Sequence, residues 1–526
     1  MSISLAIDKL IKDGLEPLAK SVAQERDGYV AEIDKLRGFV AQLQRAQFGP
    51  RSEKLDPDQL QLAIEEAEQS AAGAEAAQEQ TDAQADQAET PKRPRKPRTP
   101  LRGTLPSHLP REHVTIEPED KACPCCGGEM HPMGEDVTEQ LDIIPAQFKV
   151  IATHRPKYGC RACEEAVVQA PAPERPITGG MATEATLAHV LIGKYCDHLP
   201  LYRQALIYGR QGIPLDRATL ADWVGRACWW LKPLHQCLFT TVLASTKIFA
   251  DDTPIPVLDP GRGKTKTGRF WAYGHDDRPW QGDRPPAVVY LYSDSRKGEH
   301  PLEHLTGFTG VLQVDGYASY KTFANSRADA SVTLAYCWAH CRRKFFEVHK
   351  ATDSPIAAAF LRRVAALYAI EAEIRGRPAE QRKAERQSRS RPLVEDLKGW
   401  LMERLGEISG KTKLAEHIRY VLGHWTGLCV FLDDGRVEMD TNTIERGMRP
   451  QKLTAKNALF AGSDAGARSW AIVASLIETC KLNGVEPFAY LTDILRRMVA
   501  GHPINRLDEL LPWSWKAHAV AAPSCP

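Results

Sequence analysis

Carboxylates and thiols are the side chains of this sequence whose spacing could do chemistry. Asp251 and Asp252 follow the apolar run Ile248-Phe-Ala250, and Asp315 follows Val311-Leu-Gln-Val314. Glu445 stands in Asp440-Thr-Asn-Thr-Ile-Glu445-Arg-Gly-Met-Arg449. Carboxylates are hard oxygen donors that suit Mg²⁺ or Mn²⁺ and leave sites for water and phosphate. Three of them together could hold two such ions about 3.5–4 Å apart, clamping the attacking and leaving oxygens of a phosphodiester. The thiols form two C-x-x-C turns, Cys123-Pro-Cys-Cys126 and Cys160-Arg-Ala-Cys163, separated by 33 residues. Thiolates two residues apart on a tight turn can face one tetrahedral Zn²⁺, and the glycines after Cys126 permit that turn. Four protein ligands leave no open position, so this zinc would be structural. Cys125 in place of Cys126, or a cluster of reduced thiols, is the alternative.

The acids must be positioned by what surrounds them. Lys247–Ala250, Arg269–Tyr273 and Ala287–Tyr292 read as strands of a meander, with Asp251 ending the first. Residues 296–305 read as a helix, Val311–Val314 as a strand ending at Asp315-Gly316, and 317–323 as a helix. Val332–Tyr336 is strand-like and Ala339–His349 helical. The order β-β-β-α-β-α-β-α is that of a ribonuclease H-like α/β domain, in which the first and fourth strands are neighbours. Asp251 and Asp315 would then converge at one edge of the sheet. Taken singly, each acid has a plainer reading: Asp251-Asp252 and Asp315-Gly316 as turns, Glu445 as part of a cap with Asn442. Their joint placement favours a site.

The remaining organisation is coarser. Leu15, Val22, Tyr29, Leu36 and Leu43 recur every seven residues, with Ile33 and Val40 supporting them. They mark residues 1–55 as a coiled-coil-like helix for self-association or, alternatively, an amphipathic helix on the protein's own body. Residues 56–110 are low in complexity: eight acids without a base over 63–90, then six bases without an acid over 91–102. The basic run is a solvated linker or a DNA-tracking arm. Residues 111–170 make the zinc-ribbon-like module and 181–243 a helical region. There Leu199–Gln211, Gly212 and Asp216–Arg226 allow a helix-turn-helix presenting Arg217 and Arg226 to DNA, against a helical hairpin with no such role. Residues 244–349 and 440–526 would be the two parts of the core. The helical insertion 350–439 contains helices over 357–374 and 394–408 joined by basic 375–391, either covering DNA or a solvated face.

Length and composition set the class. A chain of 526 residues is too long for one core, so the fold expected is multidomain α+β with about three or four folding units. Its 43% hydrophobic and 26% charged residues fit folded soluble protein. The absence of a secretory start, and of an apolar run near the roughly 18 residues a membrane helix needs, argues against a membrane protein. Thirteen cysteines in such a chain point to reduced thiols and a cytoplasmic setting.

Several motifs together carry a resemblance. Ala250-Asp-Asp-Thr-Pro254, Val314-Asp-Gly-Tyr317, Cys337-Trp-Ala-His340-Cys-Arg-Arg-Lys-Phe345 and Asn442-Thr-Ile-Glu-Arg446 resemble the DDE transposases of the bacterial insertion sequence 66 family. Phe48-Gly-Pro-Arg-Ser-Glu-Lys54, Arg155-Pro-Lys-Tyr158 and Ala455-Lys-Asn-Ala-Leu-Phe-Ala-Gly462 extend the likeness over nearly the whole chain. The resemblance implies DNA as partner: binding of an insertion element's ends, Mg²⁺-dependent strand cleavage and transfer, and small accessory proteins encoded beside it. It implies Asp251, Asp315 and Glu445 as the acidic triad, with His340 of the C-x-x-H signature and Lys452 as site support. Pro450 lies between Glu445 and Lys452, so the two need not share a helix. Asp252 stands where relatives carry Glu, which keeps Asp251 and Asp252 both open as the first ligand. A structure-specific nuclease and a DNA-binding protein without catalysis are the rival readings.

Overall fold

The computed structural model describes residues 111–115, 125, 140, 146–159, 167–259, 261–327 and 331–521. The heptad segment, the acidic and basic stretches, and Cys123, Cys126, Cys160 and Cys163 lie outside the described residues. The chain divides into two compact units, 88–171 and the remainder. In the smaller unit β1 (Lys157–Gly159) pairs antiparallel with β2 (Val167–Gln169). The Arg155 guanidinium donates to the Ala170 carbonyl at 3.0 Å and Gln169 Nε2 donates to the Arg155 carbonyl at 2.8 Å.

The larger unit is built on a mixed five-stranded sheet of β3 (Lys247–Asp259), β4 (Lys264–His275), β5 (Ala287–Ser293), β6 (Gly310–Val314) and β7 (Val332–Tyr336). Their order is β5-β4-β3-β6-β7. The first three strands are antiparallel, as short connections allow, whereas β6 runs parallel to β3 and β7 parallel to β6. Ile248, Phe249, Ala250, Phe270, Trp271 and Leu312 fill the buried centre.

Asp251 does not end its strand. β3 continues for 13 residues and pairs with β4 throughout, from Phe249↔Gly274 to Asp259↔Lys264. On its other side the pairing with β6 stops at Phe249↔Gln313, so Asp251 lies just beyond the parallel ladder. Two prolines explain how the exposed edge is tolerated. The Leu258 N–H donates to the Ala461 carbonyl and the Ala461 N–H to the Pro256 carbonyl, so even-numbered residues face that edge. Pro254 and Pro256 share the parity, and neither leaves an N–H orphaned there.

Helices precede the sheet: α1 (Glu184–Tyr195), α2 (Leu201–Arg210) and α3 (Arg217–Leu243). Asp216 caps α3, its carboxylate accepting the Thr219 N–H at 2.7 Å. A compact second helix ending at Arg226 was expected, but α3 runs for 27 residues. Leu220, Trp223, Ala227, Leu231, Leu234, Leu238 and Val242 form its buried stripe, and that apolar surface carries the helix past Arg226 into the main core.

Along the rest of the chain come α4 (Glu299–His304), α5 (Ala318–Asn325), α6 (Trp338–Thr352), α7 (Pro355–Ile374), α8 (Ala379–Glu385), α9 (Arg391–Glu407), α10 (Lys413–Gly423), and the short α11 (Trp425–Leu428) and α12 (Val430–Asp433). The first helix after β5 was expected from Arg296 and starts only at Glu299, because Arg296 is engaged elsewhere. Basic 375–391 is not a simple joining segment. Arg382 and Arg386 are fully buried, Arg386 on both oxygens of Glu371 at 2.7 Å and Arg382 on Glu438 at 2.8 Å. Burying a guanidinium is costly unless its charge is paired, and Glu371 and Glu438 pair these two, although Arg382 Nε has no hydrogen-bond partner.

Three helices complete the unit before the terminal α16 (Pro512–Ala521): α13 (Asn442–Ala458), α14 (Asp464–Leu482) and α15 (Pro487–Val499). Pro450 does not divide α13, which holds Glu445 and Lys452 on one continuous helix. α14 closes the outer edge of the sheet: Ser475 Oγ accepts the Tyr290 N–H and Thr479 Oγ1 accepts the Val288 N–H. An edge strand is thereby denied to other chains. No helix among the described residues is long and apolar enough to cross a membrane.

Candidate active site

Three acids from three distant parts of the chain share one electrostatic field. Asp251 projects from β3 just beyond its pairing with β6, and Asp315 follows the last residue of β6. Glu445 lies in the first turn of α13. Burial, then the charges of Glu445, Asp315 and Asp252, push the Asp251 carboxyl up to about 8, with His340 acting in the opposite direction. Asp251 Oδ1 accepts the Asp252 N–H at 2.8 Å. Nearby Asp440 is raised to about 6, chiefly by burial.

The turn at Asp315 is fixed from both sides. Asp315 Oδ1 accepts the Tyr317 N–H at 2.9 Å, and the Tyr420 hydroxyl of α10 donates to the Asp315 carbonyl at 3.2 Å. Gly316 between them has φ +105°, and a Cβ there would stand 2.9 Å from the Tyr420 hydroxyl. Only glycine fits that conformation and that space.

Glu445 is delivered by a clamped approach. Gln313 Nε2 donates to the Glu438 carbonyl at 2.9 Å and Gln313 Oε1 accepts the Glu438 N–H at 3.0 Å. The Trp338 N–H bonds to the Met439 carbonyl, and the Thr441 N–H donates to Cys337 Sγ at 3.3 Å. Glu445 Oε1 accepts the Thr441 hydroxyl at 2.9 Å and lies 3.7 Å from His340 Nδ1, while Oε2 lies 3.9 Å from Arg343. The Thr441 side chain makes no cap hydrogen bond, and the Asn442 N–H at the start of α13 donates to Asp440 Oδ1 at 3.1 Å, so Glu445 is not a cap partner of Asn442.

Asp252 faces away from this cluster, as alternation along a strand requires. Its side chain is 2% exposed and held by Arg269 and Arg296, each at 2.9 Å. Arg296 in turn stacks on the Tyr317 ring at 4.2 Å. With both oxygens occupied by guanidinium groups, Asp252 serves as an anchor of the sheet. Lys452 is half-buried two turns after Glu445 on the same helix. Arg217 and Arg226 are both exposed on α3, and Arg226 pairs with Asp222 at 3.3 Å. They are not among the groups around Asp251.

Gln313, Thr441, Arg269, Arg296 and Tyr420 carry no motif that marks them in the sequence. Their roles arise from strand register and from contacts across long separations.

Comparison with known proteins identifies the lineage of this arrangement. Residues 179–469, which contain all three acids, match the family model described as "Transposase IS66 family". The chain belongs to the IS66 transposase family. Residues 120–164 of this IS66-family chain match the "zinc-finger binding domain of transposase IS66", a span that includes Cys123, Cys126, Cys160 and Cys163. Residues 475–513 match the "IS66 C-terminal element" and residues 35–114 the "Transposase C of IS166 homeodomain". The uncharacterized protein y4jD of Sinorhizobium fredii is 47% identical over 490 residues, covering 92% of this chain and 95% of that protein. The uncharacterized protein y4qI of the same organism is 42% identical over 496 residues, covering 93% and 90%.

Proposed function

We propose that this IS66-family chain is a DDE-type transposase that binds the ends of an insertion element and catalyses Mg²⁺-dependent DNA cleavage and strand transfer. The observation that carries the reading is the placement of a buried Asp251 beside Glu445 and Asp315: burial first, then the charges of those two acids, push its carboxyl up to about 8. Acids crowded in this way are stabilised by a cation, and their oxygen donors fit Mg²⁺ or Mn²⁺. A sheet with three antiparallel strands followed by two parallel ones, in the order β5-β4-β3-β6-β7, supports a ribonuclease H-like core.

In this reading Asp251, Asp315 and Glu445 would hold the metal. When bound, it supplies charge stabilisation and an activated water. The water oxygen forms a bond to phosphorus as the bond to the 3′-oxygen breaks, releasing a 3′-hydroxyl. That hydroxyl then attacks a phosphodiester of the target, displacing its 3′-oxygen. Thr441 and His340 orient Glu445, and Lys452 lies on its helix to meet a phosphate. The four cysteines hold a structural zinc, Arg217 and Arg226 contact element-end DNA, and the N-terminal heptads join copies of the chain. Accessory proteins of the same element complete the partners.

The test is incubation of the purified protein with paired element ends, target DNA and Mg²⁺, followed by mapping of nicks and joined products. Cleavage with joining supports a transposase. Cleavage without joining identifies a nuclease, and DNA binding with neither leaves a binding protein. Glu445→Gln should bind DNA yet lose about 10³-fold in cleavage, roughly 4 kcal/mol of transition-state stabilisation.

A further inference from the structure

Beside the three carboxylates stands a donor set of different chemistry. Cys337 Sγ, one ring nitrogen of His340 and one oxygen of Glu445 all lie within 4.8 Å of one another. Among the described residues it is the one group of three or more His, Cys, Asp or Glu side chains whose ligand atoms all come this close; those of Asp251, Asp315 and Glu445 are spaced more widely. Cys337 follows β7 and His340 lies in the first turn of α6, so a strand-to-helix junction holds both. His340 Nδ1 is buried, has no hydrogen-bond partner, and lies 3.7 Å from Glu445 Oε1. A tetrahedron with bonds of about 2.0 Å has edges of about 3.3 Å, so small side-chain rotations suffice to bring these atoms onto one ion.

A single buried residue orients two of the three donors. Thr441, 1% exposed, gives its N–H to Cys337 Sγ at 3.3 Å and its hydroxyl to Glu445 Oε1 at 2.9 Å. Outer hydrogen bonds of this kind fix ligand direction and stabilise a thiolate. Sulfur and imidazole nitrogen are poor partners for Mg²⁺ but good ones for Zn²⁺. Catalysis through hard oxygen donors makes no use of the thiol.

We propose that Cys337, His340 and Glu445 form a second cation site, selective for thiophilic divalent ions such as Zn²⁺, that competes with the Mg²⁺ site for Glu445. Filling it draws Glu445 toward Cys337 and His340 and away from Asp251 and Asp315. Zinc is therefore an inhibitor at this site. The inhibitory half rests on the transposase reading, whereas the binding half stands apart from it.

The experiment uses full-length protein whose C-x-x-C cysteines are first filled with Zn²⁺, then titrated with Co²⁺ and followed by the thiolate-to-cobalt charge-transfer absorption. Wild type should gain about one further cobalt with a single-thiolate band. Cys337→Ser should lose that band, since serine can still accept the Thr441 N–H but is a poor ligand for a soft ion. His340→Ala should weaken cobalt binding by about tenfold or more, and it serves as the second variant should Cys337→Ser fail to fold. No additional band in wild type, or an undiminished band in both variants, overturns the site. In parallel, Zn²⁺ should suppress Mg²⁺-supported nicking of element ends in wild type and do so less in Cys337→Ser, each compared with its own zinc-free rate. Nicking that ignores zinc while the band is present overturns the competition. If no metal supports nicking, the transposase reading fails, and the cobalt spectrum still decides the site.

Discussion

Gln313 and Glu438, 125 residues apart, exchange two hydrogen bonds: Gln313 accepts the Glu438 N–H at 3.0 Å and donates to the Glu438 carbonyl at 2.9 Å. Gln313 is two residues before Asp315 and Glu438 is seven before Glu445, so this contact sets one acid's register against the other's. The buried pairs Arg382–Glu438 and Arg386–Glu371 tie the same segment to the helices between.

Gln313→Leu should therefore orphan two buried backbone groups and cost roughly 3 kcal/mol of stability. It should also raise the Mg²⁺ concentration needed for half-maximal cleavage, because Glu445 is no longer fixed. Leu234→Ala, a comparable loss at a fully buried position of α3, should leave that Mg²⁺ requirement unchanged. Equal Mg²⁺ dependence in the two variants would reduce Gln313 to a packing residue.

Neighbouring Asp251 and Asp252 should respond oppositely to neutralisation. The carboxyl of Asp251 is raised to about 8, so its contribution to stability is present at low pH and lost as pH rises through that value. Asp251→Asn should accordingly melt higher than wild type at about pH 9 without metal, while its cleavage collapses. Asp252→Asn should melt lower by about 2 kcal/mol of stability, having weakened two charge-assisted hydrogen bonds, with the milder effect on cleavage. Thermal melts and nicking assays on both variants check the pair. A stabilised Asp252→Asn would exchange the two assignments.

Exposed Arg217 stands at the start of α3 and Arg226 further along it. If α3 reads DNA, neutralising Arg217 should weaken binding to element ends more than to random duplex. The loss at Arg226 should be smaller, since Asp222 already partners it. Competition binding at two salt concentrations measures both. No loss with either variant would return α2 and α3 to a helical hairpin.

His235 is buried, with Nε2 on the Tyr290 carbonyl at 3.0 Å, and burial lowers its pKa from 6.5 to about 4. A group held neutral in this way gives stability that is present above the unfolded value and lost as pH falls toward the folded one. Measured against His235→Gln, the wild-type advantage should shrink below about pH 6.5, by up to about 1.4 kcal/mol per unit. Urea unfolding at several pH values tests the slope. An advantage that grows on acidification would contradict it.

The C-x-x-C pairs predict about one structural zinc in the purified protein with the Cys337 site empty, lost in the Cys160→Ser Cys163→Ser double variant. Elemental analysis measures it. Well-folded protein without zinc would rule the knuckle out.

Local pattern made much of this protein legible. Alternating and apolar runs located the strands, and Val332–Tyr336 carries the same bounds in sequence and structure. Asp216 reads as a cap because its carboxylate needs only an N–H three residues away. The acids and C-x-x-C turns stood out because their chemistry depends on residue type and short spacing. Long-range packing decided the rest. The length of α3 follows from an apolar stripe whose partner surface combines the sheet with α14 and α15, and the burial of Arg382 and Arg386 depends on acids contributed by other segments. Pro450 stays inside α13, where packing of the flanking turns outweighs one lost hydrogen bond. Above all, Asp251 and Asp252 are indistinguishable by sequence, both being acids at the end of one apolar run. Strand alternation turns them to opposite faces, and Arg269 and Arg296 close around only one of them.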